Sequence, residues 1–550
     1  MKKIINMAMC MVNKFIKVVT VMAISAGISG ITGISGFFCN SAFAISISKE
    51  KEIAVEFMDA IDRQDKLVKD PMALALISEI GEQILKVLPP QPFRYSFYIM
   101  DEDQFNAFAG PGSNIFVHRG LITALDNVDE LAGIIGHEIA HSSCRHISQM
   151  VDQSKIMTIG TLAGVLAGVL VGATGGGGEG DLGQAVLIGS VAASHTAMLS
   201  YSREHETEAD QKGLVYLSQT GFNPYGLLTG LEKIRSRDWF GTESIPDYLK
   251  THPGSTERIV QIQSWIEGQG KEEVKQNSNK KNDSKEQKGI LKDTGKKADI
   301  PKDAADKADG ARRTDGGERR RTDGGERTDG RKNTIDPFRF EMVKYRLAGM
   351  YGNEDESEKL LIAALEKDPD NSAARYGMAL LMERKSRFKE SIDQLRQALE
   401  TRAFDPYILL AMGKVNIMAG EPRKAFEIMQ GLENIPEVEI EASFYISQAM
   451  IMTGKSDMAE KGFEKVIDAA ADIFPKAYYH LAQIKGERGE TALSHYYLGL
   501  YYYEMKNMKS ARFHLLKSLE TLSEADKKRR AQSVLIKSEI RQKDMKRNKR

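Results

Sequence analysis

The sequence predicts a mainly α protein, with an α-rich first half that carries a small β-sheet and a second half built as a helical solenoid. Three observations carry that expectation. Leu131–His146 is an apolar helical run that contains three histidines and a glutamate. From Tyr345 onward, small and apolar residues recur every 34 positions. Between the two halves, residues 268–336 are nearly devoid of the side chains from which a core is made.

Composition bounds the reading. A chain of 550 residues accommodates two to four domains. Lys+Arg and Asp+Glu both number 76. That balance argues against a nucleic-acid binder, whose footprint is an excess of positive charge. Lys2, Lys3, Lys14 and Lys17 precede an uncharged run from Val18 to Phe38, and Ser41-Ala42-Phe43-Ala44 has the small-x-small form of a cleavage site. Residues 1–44 therefore read as a signal peptide that sends the chain to the periplasm. The alternative is an uncleaved segment that anchors it to the inner membrane, facing the periplasm. Of the cysteines at 10, 39 and 144, the mature chain keeps Cys144, so no internal disulfide is expected. Cys144 itself reads as a small buried apolar residue.

Residues 45–267 form the first domain. Ala54, Met58, Ile61, Leu67, Met72, Leu76, Ile80 and Ile84 follow a helical pattern that Pro71 divides and Pro89-Pro90 ends. Tyr95–Met100 and Asn114–Val117 read as strands, with Gly110-Pro111-Gly112 as a turn between them. The strand just before the central helix offers an edge on which an extended peptide could add by backbone pairing.

The central helix reads Gly136-His137-Glu138-Ile139-Ala140-His141. Residues four apart on a helix share a face, so His137 and His141 can hold one metal ion, while Glu138 reaches a water beside it. Such a centre, with one Zn2+ per chain, acidifies a water whose proton the glutamate takes and later passes to a leaving amine. A third ligand is needed. Glu206 lies 65 residues after His141 and is followed four residues later by Asp210. That pair suits a ligand, Glu206, and a carboxylate, Asp210, that accepts the free N–H of a ligand histidine. Glu204 with Glu208 is a competing pair on another face, and His205 is a further candidate.

These residues carry a resemblance. His137-Glu138-Ile139-Ala140-His141 with Arg145-His146, then Ser202-Arg203 and Glu206 with Asp210, resemble the gluzincin metallopeptidases that include the CAAX prenyl proteases. The segment Asn106–Val117, Gly120-Leu121-Ile122, Thr251-His252-Pro253 and Arg258-Ile259 also match that family, with Ser113 where it has a second glycine. The resemblance covers roughly residues 48–267 and implies a zincin-type protease domain. Fused to repeats, it implies an exported zinc endopeptidase that hydrolyses misfolded or misassembled envelope proteins, with partners in the outer-membrane assembly machinery. Two further readings stay open. One is a periplasmic chaperone or scaffold with a mainly structural metal site; the other is a membrane-embedded CAAX-type protease.

The last reading depends on 156–200. Ile156–Ala173 is uncharged, with Gly160, Gly164, Gly168 and Gly172 on one face, but the following apolar segment carries Asp181, Gln184 and His195 and makes a poor span. A cover near the site, with peripheral membrane contact, is the main expectation, and His195 reads as structural. His252 lies 46 residues beyond Glu206 in a loop-like stretch and precedes a proline that biases it towards extended backbone. It reads as a loop histidine, as a donor to the oxyanion, or as a latch that fills the fourth metal position at rest.

Residues 268–336 form a disordered, charged linker with a tandem Arg-Thr-Asp-Gly-Gly-Glu-Arg at 313–319 and 321–327. An end-to-end distance on the order of 45 Å would let the two halves move independently. In the second half, Tyr345, Ala379, Gly413 and Ser447 recur every 34 residues, each followed after 12 by Ser357, Ser391, Ala425 and Ala459. This is the tetratricopeptide (TPR) period, and it extends over 337–524. Gly499, Ala511 and Leu515 form a later unit after an irregular interval. Tyr496, Tyr497, Tyr501, Tyr502 and Tyr503 read as groove packing or as a peptide-binding face. Residues 525–550 form a basic C-terminal helix or tail.

Overall fold

The computed structural model describes residues 45–153, 201–237, 247–254, 256–268 and 335–547. The expected signal peptide, residues 156–200 and almost all of the expected linker therefore lie outside the described residues. No helix among the described residues is long and apolar enough to cross a membrane.

Helix α1 (Ile47–Gln64) starts at Ser46, whose hydroxyl accepts from the Lys49 N–H, and buries Ile53, Phe57 and Ile61. It stops where Asp65 turns left-handed, at φ 54°. Helix α2 (Pro71–Leu85) begins with Asp70 accepting from the Ala73 N–H and Pro71 in its first turn, where a missing N–H costs nothing. Strands β1 (Ser96–Met100), β2 (Ala107–Gly110) and β3 (Asn114–His118) form a sheet in the order β1-β3-β2. Strand β3 runs parallel to β1, with Ser96 opposite Asn114, and antiparallel to β2, with Ala107 opposite Val117.

That order changes the expectation for peptide addition. The strand just before the central helix in sequence, β3, is hydrogen-bonded on both sides, so the edge strand beside it is β2, which itself packs on that helix. The β2–β3 turn also explains the departure at Ser113. Gly112 has φ 72° and Ser113 φ 62°, both in the left-handed region that favours glycine. Ser113 is buried and its hydroxyl accepts from Ser142 on the central helix at 2.8 Å.

The sheet leads through α3 (Arg119–Ala124) to the central helix α4 (Val128–Ser143) and then to α5 (His146–Gln153). Asn127 caps α4 by accepting from the Glu130 N–H, and Leu131, Ile134, Ile135, Ile139 and Ala140 are fully buried. Each of the leucine and isoleucine side chains contributes roughly 1.5–3 kcal/mol when buried. Helices α6 (Arg203–Thr220) and α7 (Tyr225–Arg237) pack on α4. A Cβ on Gly226 would fall 2.1 Å from the Asp129 carbonyl oxygen, and one on Gly133 2.5 Å from the Leu227 nitrogen. Helix α8 (Asp247–Thr251) and a helix over 256–268 (α9) complete this half.

The second half pairs helices: α10 (Pro337–Tyr351), α11 (Glu354–Lys367), α12 (Ser372–Arg384), α13 (Phe388–Thr401), α14 (Pro406–Met418), α15 (Pro422–Met429), α16 (Glu439–Met452) and α17 (Ser456–Ala470). They are followed by α18 (Lys476–Glu487), α19 (Thr491–Glu504), α20 (Met508–Leu519) and the C-terminal α21 (Ala525–Arg547). The small repeat positions are where paired helices touch. Ser391 donates to the Ala379 carbonyl at 2.8 Å, and a Cβ on Gly413 would collide with Met429. The irregular interval has a simple form. Ser494 donates to the Ala482 carbonyl at 2.8 Å, the same 12-residue step, so α18 and α19 make a pair. Gly499 on α19 then packs against Leu515 of α20, and α19 serves two units. Tyr496 and Tyr497 are buried in this packing, whereas Tyr501, Tyr502 and Tyr503 are partly exposed.

The two halves do not sit apart as the linker's length suggested. One apolar core runs from Leu76 and Leu121 to Val343 and Leu347. Lys344 donates to the Leu125 carbonyl at 2.7 Å, and Arg346 meets Asp70 at 2.6 Å in a buried ion pair. The linker permits independence, but complementary surfaces remove it. Replacing Arg346 with Met leaves the Asp70 carboxylate buried without its partner. That should destabilise the protein by roughly 3–5 kcal/mol, read as a lower urea midpoint by circular dichroism; an unchanged midpoint would show that the pair holds nothing.

Candidate metal centre and catalytic site

Helix α4 presents His137 and His141 on one face, with their Nε2 atoms 3.0 Å apart. Helix α6 crosses close by because Gly213 meets the backbone of Gly136 and His137, where a Cβ would lie at 3.4 Å. That approach brings Glu206 within 3.2 Å of His141 Nε2 and 3.5 Å of His137 Nε2. Asp210, one turn further along α6, lies 2.9 Å from His137 Nδ1. His252 follows α8 and is also buried, with Nδ1 3.0 Å from Glu206 Oε1 and Nε2 3.7 Å from Glu138 Oε1. The structure thus brings together His137, Glu138, His141, Glu206, Asp210 and His252. Of the competing candidates for third ligand, Glu204 is exposed, His205 turns to Gln149 at 3.3 Å, and Glu208 faces His146.

Arg258 completes the site. Its Nε and Nη2 span both oxygens of Asp210 at 2.7 and 2.8 Å, and its Nη1 pairs with Glu206 at 2.5 Å. In the sequence it was only part of a family match; no spacing rule announces an arginine six residues past His252. Tyr201 went unnoticed for the same reason. Its ring stacks on His141 at 3.8 Å and its hydroxyl donates to the Ala109 carbonyl on β2 at 3.4 Å. Tyr248 stacks on His252 at 4.3 Å. Cys144 is buried as expected, but its surroundings are polar, with Lys212 at 3.1 Å and Glu208 at 3.4 Å.

The electrostatics favour a cation. Glu138, Glu206 and Asp210 are three buried carboxylates, and among the described residues only the Arg258 guanidinium is buried against them. A divalent ion among them would add positive charge beyond what Arg258 supplies. Burial raises the Glu138 carboxyl above the usual range, and neither of its oxygens makes a hydrogen bond among the described residues. Burial acts the same way on Glu206 and Asp210 and is the largest single influence, but Arg258 together with the surrounding histidines outweighs it and holds both below that range. Burial and Arg258 depress His137, yet Asp210 and Glu206 overcome them and lift its imidazole to about 9. This cavity draws positive charge. His137, His141, Glu206 and His252 offer ligand atoms within 4.8 Å of one another, a donor set that suits zinc.

A buried two-histidine, one-glutamate cluster with an adjacent free carboxylate defines the class of the first half as a metallopeptidase domain. Residues 75–266 match the model of peptidase family M48. Among curated proteins, the chain is 27% identical over 217 residues to the beta-barrel assembly-enhancing protease of Escherichia coli (strain K12), a span of 39% of this chain and 43% of that protein. It is 27% identical over 200 residues to the mitochondrial metalloendopeptidase OMA1 of Schizosaccharomyces pombe, covering 36% and 55%. The match thus spans less than half the length of the bacterial relative. Solved structures similar to the chain include MamA, with 16% identity, a TM-score of 0.26 and coverage of 32% of this chain and 99% of that one. YrrB, a TPR protein, has 19% identity and a TM-score of 0.26, covering 32% and 91%.

Arg258→Lys keeps the charge but cannot span Asp210 and Glu206 together. Zinc affinity should fall about 10–100-fold, measured by chelator competition; wild-type affinity would mean that the fork does not orient the carboxylates.

Proposed function

We propose that the chain is an exported zinc endopeptidase acting in the periplasm on misfolded or misassembled envelope proteins. One Zn2+ per chain is held by His137, His141 and Glu206. Bound zinc supplies a Lewis acid that acidifies water and polarises a carbonyl. Glu138 takes the proton of the attacking water and passes it to the leaving amine. Its buried carboxylate, free of hydrogen bonds and raised above the ordinary range, is the observation that carries this role. Asp210 orients His137, and Arg258 keeps Asp210 and Glu206 ionised. The TPR half recruits clients or assembly partners. The likeness to a beta-barrel assembly-enhancing protease supports an outer-membrane setting for that recruitment.

Glu138→Gln should lower casein cleavage by about 10²–10⁴-fold while the zinc content stays at wild type. Retained turnover would remove Glu138 as the general base.

His252 supports a refinement. A catalytic zinc keeps one position open, whereas a donor set of two histidines, a glutamate and a third histidine is closed. We read His252 as a latch that keeps the enzyme silent until a client moves it. His252→Ala should then raise basal casein cleavage. If His252 instead donates to the oxyanion, kcat falls with KM little changed. Unchanged kinetics would dismiss both roles. The same closed set favours, as a second reading, a scaffold with a structural metal site. Restored envelope integrity in a deletion strain supplied with Glu138→Gln protein would support it. The membrane-embedded reading rests on 156–200, outside the described residues; release of the mature protein by osmotic shock would end it.

A further inference from the structure

The two candidate ligand histidines are held in different ways. His137 is met at Nδ1 directly by the Asp210 carboxylate, 2.9 Å away. His141 has no carboxylate there: its Nδ1 lies 2.9 Å from Nδ1 of His146. His146 is fully buried, and its other ring nitrogen, Nε2, lies 3.3 Å from Glu208 Oε2. We propose that His146 and Glu208 are positioning residues which, through this imidazole relay, set the tautomer and ring orientation of His141 for zinc. The proposal rests on the reading of His141 as a ligand.

The proton assignment follows from the contacts. A neutral imidazole has one donor and one acceptor nitrogen. His141 Nε2 faces Glu206 and His137, so it must keep its lone pair for the metal, and its proton sits on Nδ1. That N–H can be accepted only if His146 Nδ1 carries a lone pair. The His146 proton is then on Nε2, where it donates to Glu208. Both tautomers are thereby fixed by a carboxylate two links away from the metal.

The surroundings hold each link in place. Arg145 adopts a left-handed conformation, φ 56°, which folds the chain between α4 and α5 so that His146 returns beneath His141. Its guanidinium is tied down by Glu50 at 2.7 Å and the Ile45 carbonyl at 2.6 Å. The His205 ring stacks on His146 at 4.3 Å and limits its rotation. Lys212, one turn beyond Glu208 on α6, pairs with that carboxylate at 3.1 Å. Cys144, His146 and Glu208 also have metal-ligand spacing, but the Lys212 ammonium fills the space a second ion would need.

The test uses the full chain, with zinc affinity measured by chelator competition and the visible spectrum of the cobalt-substituted protein as a second readout. His146→Leu should weaken zinc binding about 10–100-fold and alter the cobalt bands, with the far-ultraviolet circular dichroism unchanged. His146→Asn, whose Oδ1 replaces the Nδ1 acceptor, should recover most of that loss, and Glu208→Gln, which still accepts from His146, should bind zinc better than Glu208→Leu. If His146→Asn is as weak as His146→Leu, or if His146→Leu binds as wild type, the relay is overturned. Two zinc ions per wild-type chain, falling to one in Cys144→Ala, would overturn it in favour of a second metal site. Undiminished zinc binding in His141→Ala would instead show that the ligand reading has failed.

Discussion

The site depends on one electrostatic constraint: three carboxylates and three histidines are buried together, with Arg258 as their permanent cation. Unpaired, such charges would not remain ionised in a core. Arg258 and the neighbouring histidines hold two of the carboxylates in their charged form and leave Glu138 as the one that burial raises. The three roles proposed for them, a ligand, an orienting acid and a base, would thus emerge from one residue type by placement alone. The ligand and the orienting acid lie against the guanidinium, whereas the base makes no hydrogen bond.

Much of this was legible in the sequence because helix geometry converts spacing into proximity. His137 and His141, four apart on an apolar helix, and Glu206 and Asp210, four apart on another, needed only to be brought side by side. The repeats were legible for the same reason, since a fixed period marks where small residues let helices touch. Arg258, Tyr201 and Glu208 were not, because each reaches the site from a direction that no local period encodes. Glu208 had been weighed only as a rival to Glu206 for the metal. Its neighbour is instead His146, made by a turn whose left-handed residue is an arginine rather than a glycine. The place of β3 in the middle of the sheet was hidden too, because alternation along a strand does not say which strands flank it.

The union of the two halves was the least visible feature. A charged, core-less linker describes what the chain can do between domains and is silent about what their surfaces prefer. Asp70 shows how the preference is built: one carboxylate oxygen caps α2, and the other takes the Arg346 guanidinium from α10. Lys344, two residues earlier, reaches the Leu125 carbonyl just ahead of the central helix.

That double use of Asp70 bears on how freely such a protein can be recombined. A repeat domain is often regarded as an exchangeable cassette, traded between proteins to alter what they grip. Here the first repeat helix carries basic side chains that satisfy groups inside the peptidase half, so a foreign solenoid would arrive without them. Any lineage that swapped its repeats would have to carry α10 along or refit the surface around Asp70. Variation in what the solenoid grips is therefore expected to accumulate in the later repeats, away from the α10 seam.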